Sequence, residues 1–156
     1  GCMTWPDGAK YDGNWSLGMA DGQGTFHHAN KDTYQGQWKN NKANGRGTYI
    51  SAKGSKYEGP WKNDQQEGEG VETFPNGSHF KGHYVTSKKH GWGNYHWIDG
   101  STYEGNWSQD KMDGNGAYIW ADGRKYYGSW EKGLMHGHGI YFYPGGVRYD
   151  GEYKND

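Results

Sequence analysis

Aromatic residues recur along this chain at a fixed interval, with polar residues filling most of the positions between them. Aligned on Tyr-x-Gly-x-Trp, the first ring falls at Tyr11, Tyr34, Tyr57, Phe80, Tyr103, Tyr126 and Tyr149, each 23 residues after the last. With that ring as phase 0, phase 2 is always glycine, from Gly13 to Gly151. Phase 4 is again a ring: Trp15, Trp38, Trp61, Tyr84, Trp107, Trp130 and Tyr153. Glycines return at phases 11 and 13, from Gly22 and Gly24 to Gly137 and Gly139. Rings return at phase 15 (Phe26, Tyr49, Tyr95, Tyr118, Tyr141) and phase 17 (Trp5, Phe74, Trp97, Trp120, Tyr143). A period of two is that of a β-strand with one apolar face. Each repeat is therefore predicted to hold two strands, phases 0–4 and 11–17, joined by six mostly polar residues such as Ser16 to Asp21. Asp7-Gly8, Asn76-Gly77, Asp99-Gly100 and Asp122-Gly123 are hairpin-turn signals at the join between repeats.

Glycine on the same face as two large rings lets a ring from a neighbouring strand lie over backbone that has no Cβ. The predicted fold is all-β: an elongated single-layer solenoid of consecutive antiparallel β-hairpins, one per 23-residue repeat, with a Trp/Tyr-on-Gly core. A lone hairpin is marginal in water, so stability has to come from stacking repeats. At about 4.8 Å per strand the array is expected to be a twisted rod or ribbon on the order of 60 Å long. It is expected to occupy residues 1–156 as one array, with a partial repeat at 1–10 and another at 149–156. Because it starts at phase 13 and stops at phase 7, it reads as a segment of a longer array. Two local departures stand out. Pro60, at phase 3, has no N–H for a ladder, which predicts a bulge or an unpaired site there. The fourth repeat carries Phe80, Tyr84 and the segment Val85-Thr86-Ser87-Lys88-Lys89-His90.

Composition supports the periodic reading. Only 31% of the chain is apolar and 17% is aromatic, so there is no aliphatic interior, yet this richness in rings excludes ordinary disorder. Of the 29 glycines, 26 fall at phases 2, 11, 13 and 20, which removes the flexible-linker reading. A net charge of −1 supplies no field for nucleic acid, and none is expected as a partner. One cysteine, Cys2, makes no intrachain disulfide, and no run is long and apolar enough for a signal peptide or a membrane span, which fits a cytoplasmic setting.

These residues resemble the MORN-repeat family, whose pattern is Tyr-x-Gly-x-Trp, a short polar segment, Gly-x-Gly and an aromatic strand at this spacing. The resemblance implies a scaffold in cytoskeletal or membrane-cortical assemblies, or an accessory segment of a larger protein, including an enzyme. It also brings in acidic phospholipids as a ligand class often attributed to the family.

The chemistry-bearing residues add little to this. The Gly-x-Gly pairs lack the third glycine, the helix and the Lys-Ser/Thr of nucleotide loops, so no cofactor is expected. The eight histidines form no four-ligand cluster, so no metal site is expected within one chain, although Cys2 or His136 could contribute to an intermolecular one. No carboxylate pair or nucleophile–base pair has a pocket in prospect, so no catalytic residue is named and the chain reads as a non-enzyme. The repeat absorbs 24 of the 27 rings and leaves Trp92 at phase 12, Tyr127 at phase 1 and Phe142 at phase 16. All three alternate away from the ring face, and Ile119 and Ile140 share the outward face with them. Such a patch marks a protein partner or a homodimer surface. Lys88 and Lys89 form the most basic stretch and are the candidates for contact with lipid headgroups.

Overall fold

The computed structural model describes residues 1–154, which divide into two compact units, the first Gly1–Pro75 and the second from Asn76 onward. The first unit contains β1 (Cys2–Thr4), β2 (Lys10–Ser16), β3 (Met19–His27), β4 (Thr33–Lys39), β5 (Lys42–Ile50), β6 (Lys56–Lys62), β7 (Gln65–Gln66) and β8 (Gly68–Thr73). The second contains β9 (His79–Val85), β10 (Lys88–His96), β11 (Thr102–Ser108), β12 (Lys111–Ile119), β13 (Lys125–Glu131), β14 (Leu134–Phe142) and β15 (Arg148–Tyr153). Within each unit every strand pairs antiparallel with its sequence neighbour, except that β6 pairs with both β7 and β8. The fold is therefore the predicted all-β solenoid of consecutive hairpins.

The hairpin turns are tighter than the polar pattern suggests. β2 runs to phase 5 and β3 starts at phase 8, so only Leu17 and Gly18 turn the chain, with φ of 51° and 78°. Asn40-Asn41, Asn63-Asp64 and Gln109-Asp110 repeat this, again with both φ values positive. Two-residue turns of this hand match the twist of the strands they join. Four of the six residues expected to link these strands, Ser16, Met19, Ala20 and Asp21, therefore belong to the strands themselves.

The second correction concerns phase 11. Opposite the two steps from Gly13 to Trp15, β3 takes four, from Gly24 back to Ala20, so it is bulged. Gly22 sits in that bulge at φ 97°, and a Cβ there would point at the Asn14 side chain, on the outward face. It does not lie beneath the rings. Phase 9 takes that place, where Ala20 and Ala43 are buried. Pro60 also has a local effect: toward the following strand the β6 ladder lapses between Glu58 and Trp61, one residue more than the lapse from phase 2 to phase 4 elsewhere, and that strand is interrupted at Glu67, whose N–H donates to the Pro60 carbonyl, while Pro60 stays opposite Arg46 of β5.

The core is a chain of clamps. The Tyr34 ring lies over Gly36 and Gly47, and its hydroxyl donates to the Gln37 carbonyl at 2.9 Å. It meets Trp38 of its own repeat edge-on at 5.1 Å and Trp61 of the following repeat at 5.2 Å. Trp61 Nε1 in turn donates back to the Gly47 carbonyl at 3.1 Å. The second unit repeats the arrangement with Tyr103, Trp107 and Trp130. A staple at phase 7 joins the hairpin tips: Asn41 Oδ1 accepts the Ala20 N–H at 2.7 Å while the Asn41 N–H donates to the Ala20 carbonyl.

A Cβ at Gly47 would overlap the Tyr34 ring, so Gly47→Ala should destabilise by about 3 kcal/mol or more. Tyr34→Phe should cost only about 1 kcal/mol, the loss of one hydrogen bond; urea unfolding measures both. Burial chiefly pushes the phenols of Tyr34, Tyr57 and Tyr103 above their ordinary value of 10.0. The unfolded chain thus loses phenolic protons that the folded chain keeps. Stability should be full below about pH 10 and fall as pH rises beyond it, seen as a drop in Tm between pH 9 and pH 11.

Candidate functional site

The interior of a single sheet is filled by its own rings, so anything the chain holds has to lie on one of its two faces. On the outward face of the second unit, Tyr127 of β13 stands opposite Ala117 of β12 and Ile140 of β14. Phe142 is opposite Lys125, which in turn faces Ile119. The Tyr127 and Phe142 rings meet edge to face at 5.7 Å. Tyr127 is 42% exposed and Trp92 53%, whereas Phe142, expected to be exposed, is half-buried beside Tyr127 and Lys125. Trp92 flanks the patch, lining a shallow depression of about 290 Å³ with Glu104, Asn115 and Ala117. The edge toward β15 is polar: His138 Nε2 lies 2.9 Å from Asp150 and its Nδ1 3.5 Å from Glu152.

In the first unit, the same row of the outward face is Asp12, Thr25, Gln35, Thr48, Glu58 and Val71, with Ile50 at the phase of Ile119 and Phe142. The outward surface that joins rings to aliphatic side chains is thus a feature of β12 to β14, while the first unit carries the exposed Ile50 and Val71 among polar residues.

The ring face carries features that the sequence pattern did not single out. A cavity of about 390 Å³ in the first unit is lined by the rings of Phe26, Tyr34, Trp38, Tyr49 and Trp61 together with His28, Asn41, Ala43 and Asp64. A neighbouring one of about 300 Å³ lies over Tyr11, Trp15, Ala20 and Trp38. The Tyr49 hydroxyl donates to Asp32 at 2.5 Å, which holds the Asp32 carboxyl below its ordinary range. Burial, followed by that same bond, pushes the Tyr49 phenol up. Each cavity exists because phase 9 is alanine there, and the phase-9 pattern was legible only as small and buried residues hidden in a stretch that looked like loop.

The two lysines singled out for lipid are both engaged within the protein. Lys89 Nζ sits 5.2 Å from the Phe80 ring centroid and 5.9 Å from that of Tyr95, on the ring face, and 3.9 Å from Asp110. Lys88 Nζ is 3.3 Å from Gln109 Oε1. His136 Nε2 is 3.0 Å from Glu131, and Cys2 is exposed. Among the described residues, no group of three or more His, Cys, Asp or Glu could hold a metal ion.

Hairpins stacked on glycines, with their variable residues confined to the faces, define a β-solenoid repeat protein whose surfaces are its working parts. The MORN repeat family matches at residues 1–10, 11–33, 34–56, 57–79, 103–123 and 126–148, and the chain belongs to that family. Residues 80–102, the repeat carrying Phe80, Tyr84 and Lys89, fall outside the matched stretches. Comparison with curated proteins gives no match. Among solved structures, the chain is similar to the SAS-4 (dCPAP) TCP domain of Drosophila melanogaster in complex with a proline-rich motif of Ana2 (dSTIL). The identity is 18% and the TM-score 0.55, over 98% of this chain and 83% of that one, so the likeness is one of fold. The TCP10 domain of Danio rerio CPAP also matches, at 15% identity and a TM-score of 0.38, over 97% of this chain and 82% of that one.

Proposed function

We propose that this chain is a non-catalytic scaffold that holds protein partners and pairs with a second copy of itself in a cytoskeletal or membrane-cortical assembly. The observation that carries the reading is the one-sided patch of Ala117, Ile119, Tyr127, Ile140 and Phe142, flanked by Trp92, where the equivalent positions of the first unit hold no Phe, Tyr or Trp and are polar apart from Ile50 and Val71. A partly exposed edge-to-face ring pair among aliphatic side chains, bordered by His138, Asp150 and Glu152, has the apolar-centre and polar-rim composition of an interface. The Drosophila domain of similar fold is described with a proline-rich protein motif, which supports a protein as the class of partner. An extended segment of that kind suits a ring-lined groove.

Sedimentation equilibrium tests the self-pairing. The wild-type chain should sediment as a dimer, while Phe142→Asp and Tyr127→Ser should shift it toward monomer with unchanged far-UV circular dichroism. A wild type that stays monomeric up to about 100 µM, a weak limit for a specific interface, would sink the self-pairing reading.

A further inference from the structure

The ring face contains its own comparison between an occupied site and an open one. In the fourth repeat, the Lys89 ammonium lies over the Phe80 and Tyr95 rings, 5.2 Å and 5.9 Å from their centroids, and 3.9 Å from the Asp110 carboxylate. Trp107 packs edge-on against Phe80 at 5.3 Å. The second repeat has the same parts at the same phases: Tyr34 for Phe80, Tyr49 for Tyr95, Trp61 for Trp107 and Asp64 for Asp110. Even the hairpin staple is shared, since Asp64 Oδ1 accepts the Ala43 N–H at 2.7 Å and Asp110 Oδ1 accepts the Lys89 N–H at 2.8 Å. Phase 9 differs, with Ala43 in place of Lys89, and there the cavity of about 390 Å³ opens; its flanking residues Phe26, His28 and Trp38 also stand where Glu72, Phe74 and Tyr84 stand for the fourth repeat.

The pairing of phase 9 with phase 7 of the following repeat shows how particular this is. Ala20 is answered by Asn41, Ala43 by Asp64, Lys89 by Asp110 and Met112 by Gly133. Of these four pairs, Ala43 with Asp64 alone joins room for a ligand to a negative charge. That charge reaches the cavity, since Asp64 is the second cause, after burial, of the rise in the Tyr34 phenol pKa.

We infer that the cavity over Tyr34, Tyr49 and Trp61, bounded by Asp64, is a receptor for the ammonium group of a lysine side chain presented by a partner protein. The faces of the rings supply the cation–π attraction and the carboxylate supplies the counter-charge, as they do for Lys89 within the chain. The alkyl stem of a lysine fits between the rings while its head reaches the acid. The inference rests on the reading that the partners are proteins, but it concerns the ring face of the first unit and not the outward patch of the second, and is tested apart from it.

The experiment follows the Trp38 and Trp61 indole N–H signals of the ¹⁵N-labelled full chain during titration with three probes. These are n-butylammonium, its neutral isostere n-butanol, and an acetylated, amidated Ala-Lys-Ala peptide. Butylammonium and the peptide should shift these signals saturably, both at least about ten-fold more tightly than butanol. Asp64→Asn should erase the preference for the cation; Asn41 makes the same staple to Ala20, so this variant keeps its fold. Ala43→Lys should install the Lys89 arrangement and abolish binding, leaving the sedimentation behaviour unchanged. Equal binding of butanol and butylammonium, or undiminished binding to Ala43→Lys that retains the native indole spectrum, would overturn the site. Binding of butylammonium without the peptide would overturn the assignment to a protein lysine.

Discussion

A tyrosine ring laid flat over two glycines on adjacent strands is the contact on which the rest of this molecule depends. Gly36 and Gly47 must both lack a Cβ for Tyr34 to descend to the sheet, and only then can its hydroxyl reach the Gln37 carbonyl. Sinking the tyrosine places its edge between Trp38 and Trp61. Because Trp61 belongs to the following repeat, the same contact closes one repeat and docks the next. This explains how a chain with so few aliphatic residues folds: the buried area comes from rings, and their polar atoms are satisfied by backbone carbonyls of the same clamp.

Such a core constrains where function can lie. A single sheet has no interior to hollow out, and nearly every ring is committed to its neighbour. Variation is therefore tolerated at outward positions and at the two phases that line the ring face without forming the clamp, 7 and 9. Both kinds of variation are present. Outward positions turn apolar across β12 to β14, and phase 9 changes from Ala43 to Lys89 to Met112 while the clamps beneath are maintained. The same backbone thus offers an open cavity in one repeat and a self-filled one in another.

Much of this was legible in the sequence, for a physical reason. Rings at phases 0 and 4 and glycine at phase 2 are imposed by the clamp at every repeat, so they leave a strict period. The outward positions of Trp92, Tyr127 and Phe142 followed from strand alternation alone. The parts that were not legible are those where the backbone breaks alternation. Gly22 and its equivalents have the spacing of ring-face glycines but occupy bulges, where what matters is a positive φ and not the missing side chain. That bulge shifts Ala20 and Ala43 onto the ring face, while strand residues facing water, such as Lys39 and Lys42, hide it in what reads as loop. The pairing of Ala43 with Asp64 spans 21 residues and depends on a two-residue turn that polar composition cannot distinguish from a longer one.

The central claim is that ring contacts between repeats stabilise the fold at least as much as those within a repeat. A double-mutant cycle measured by urea unfolding tests it, using Tyr34→Ala with Trp61→Ala across repeats and Tyr34→Ala with Trp38→Ala within one. The account predicts a coupling of about 1 kcal/mol or more for Tyr34 with Trp61, no smaller than that for Tyr34 with Trp38. A coupling near zero across repeats, with a substantial one within the repeat, would contradict it.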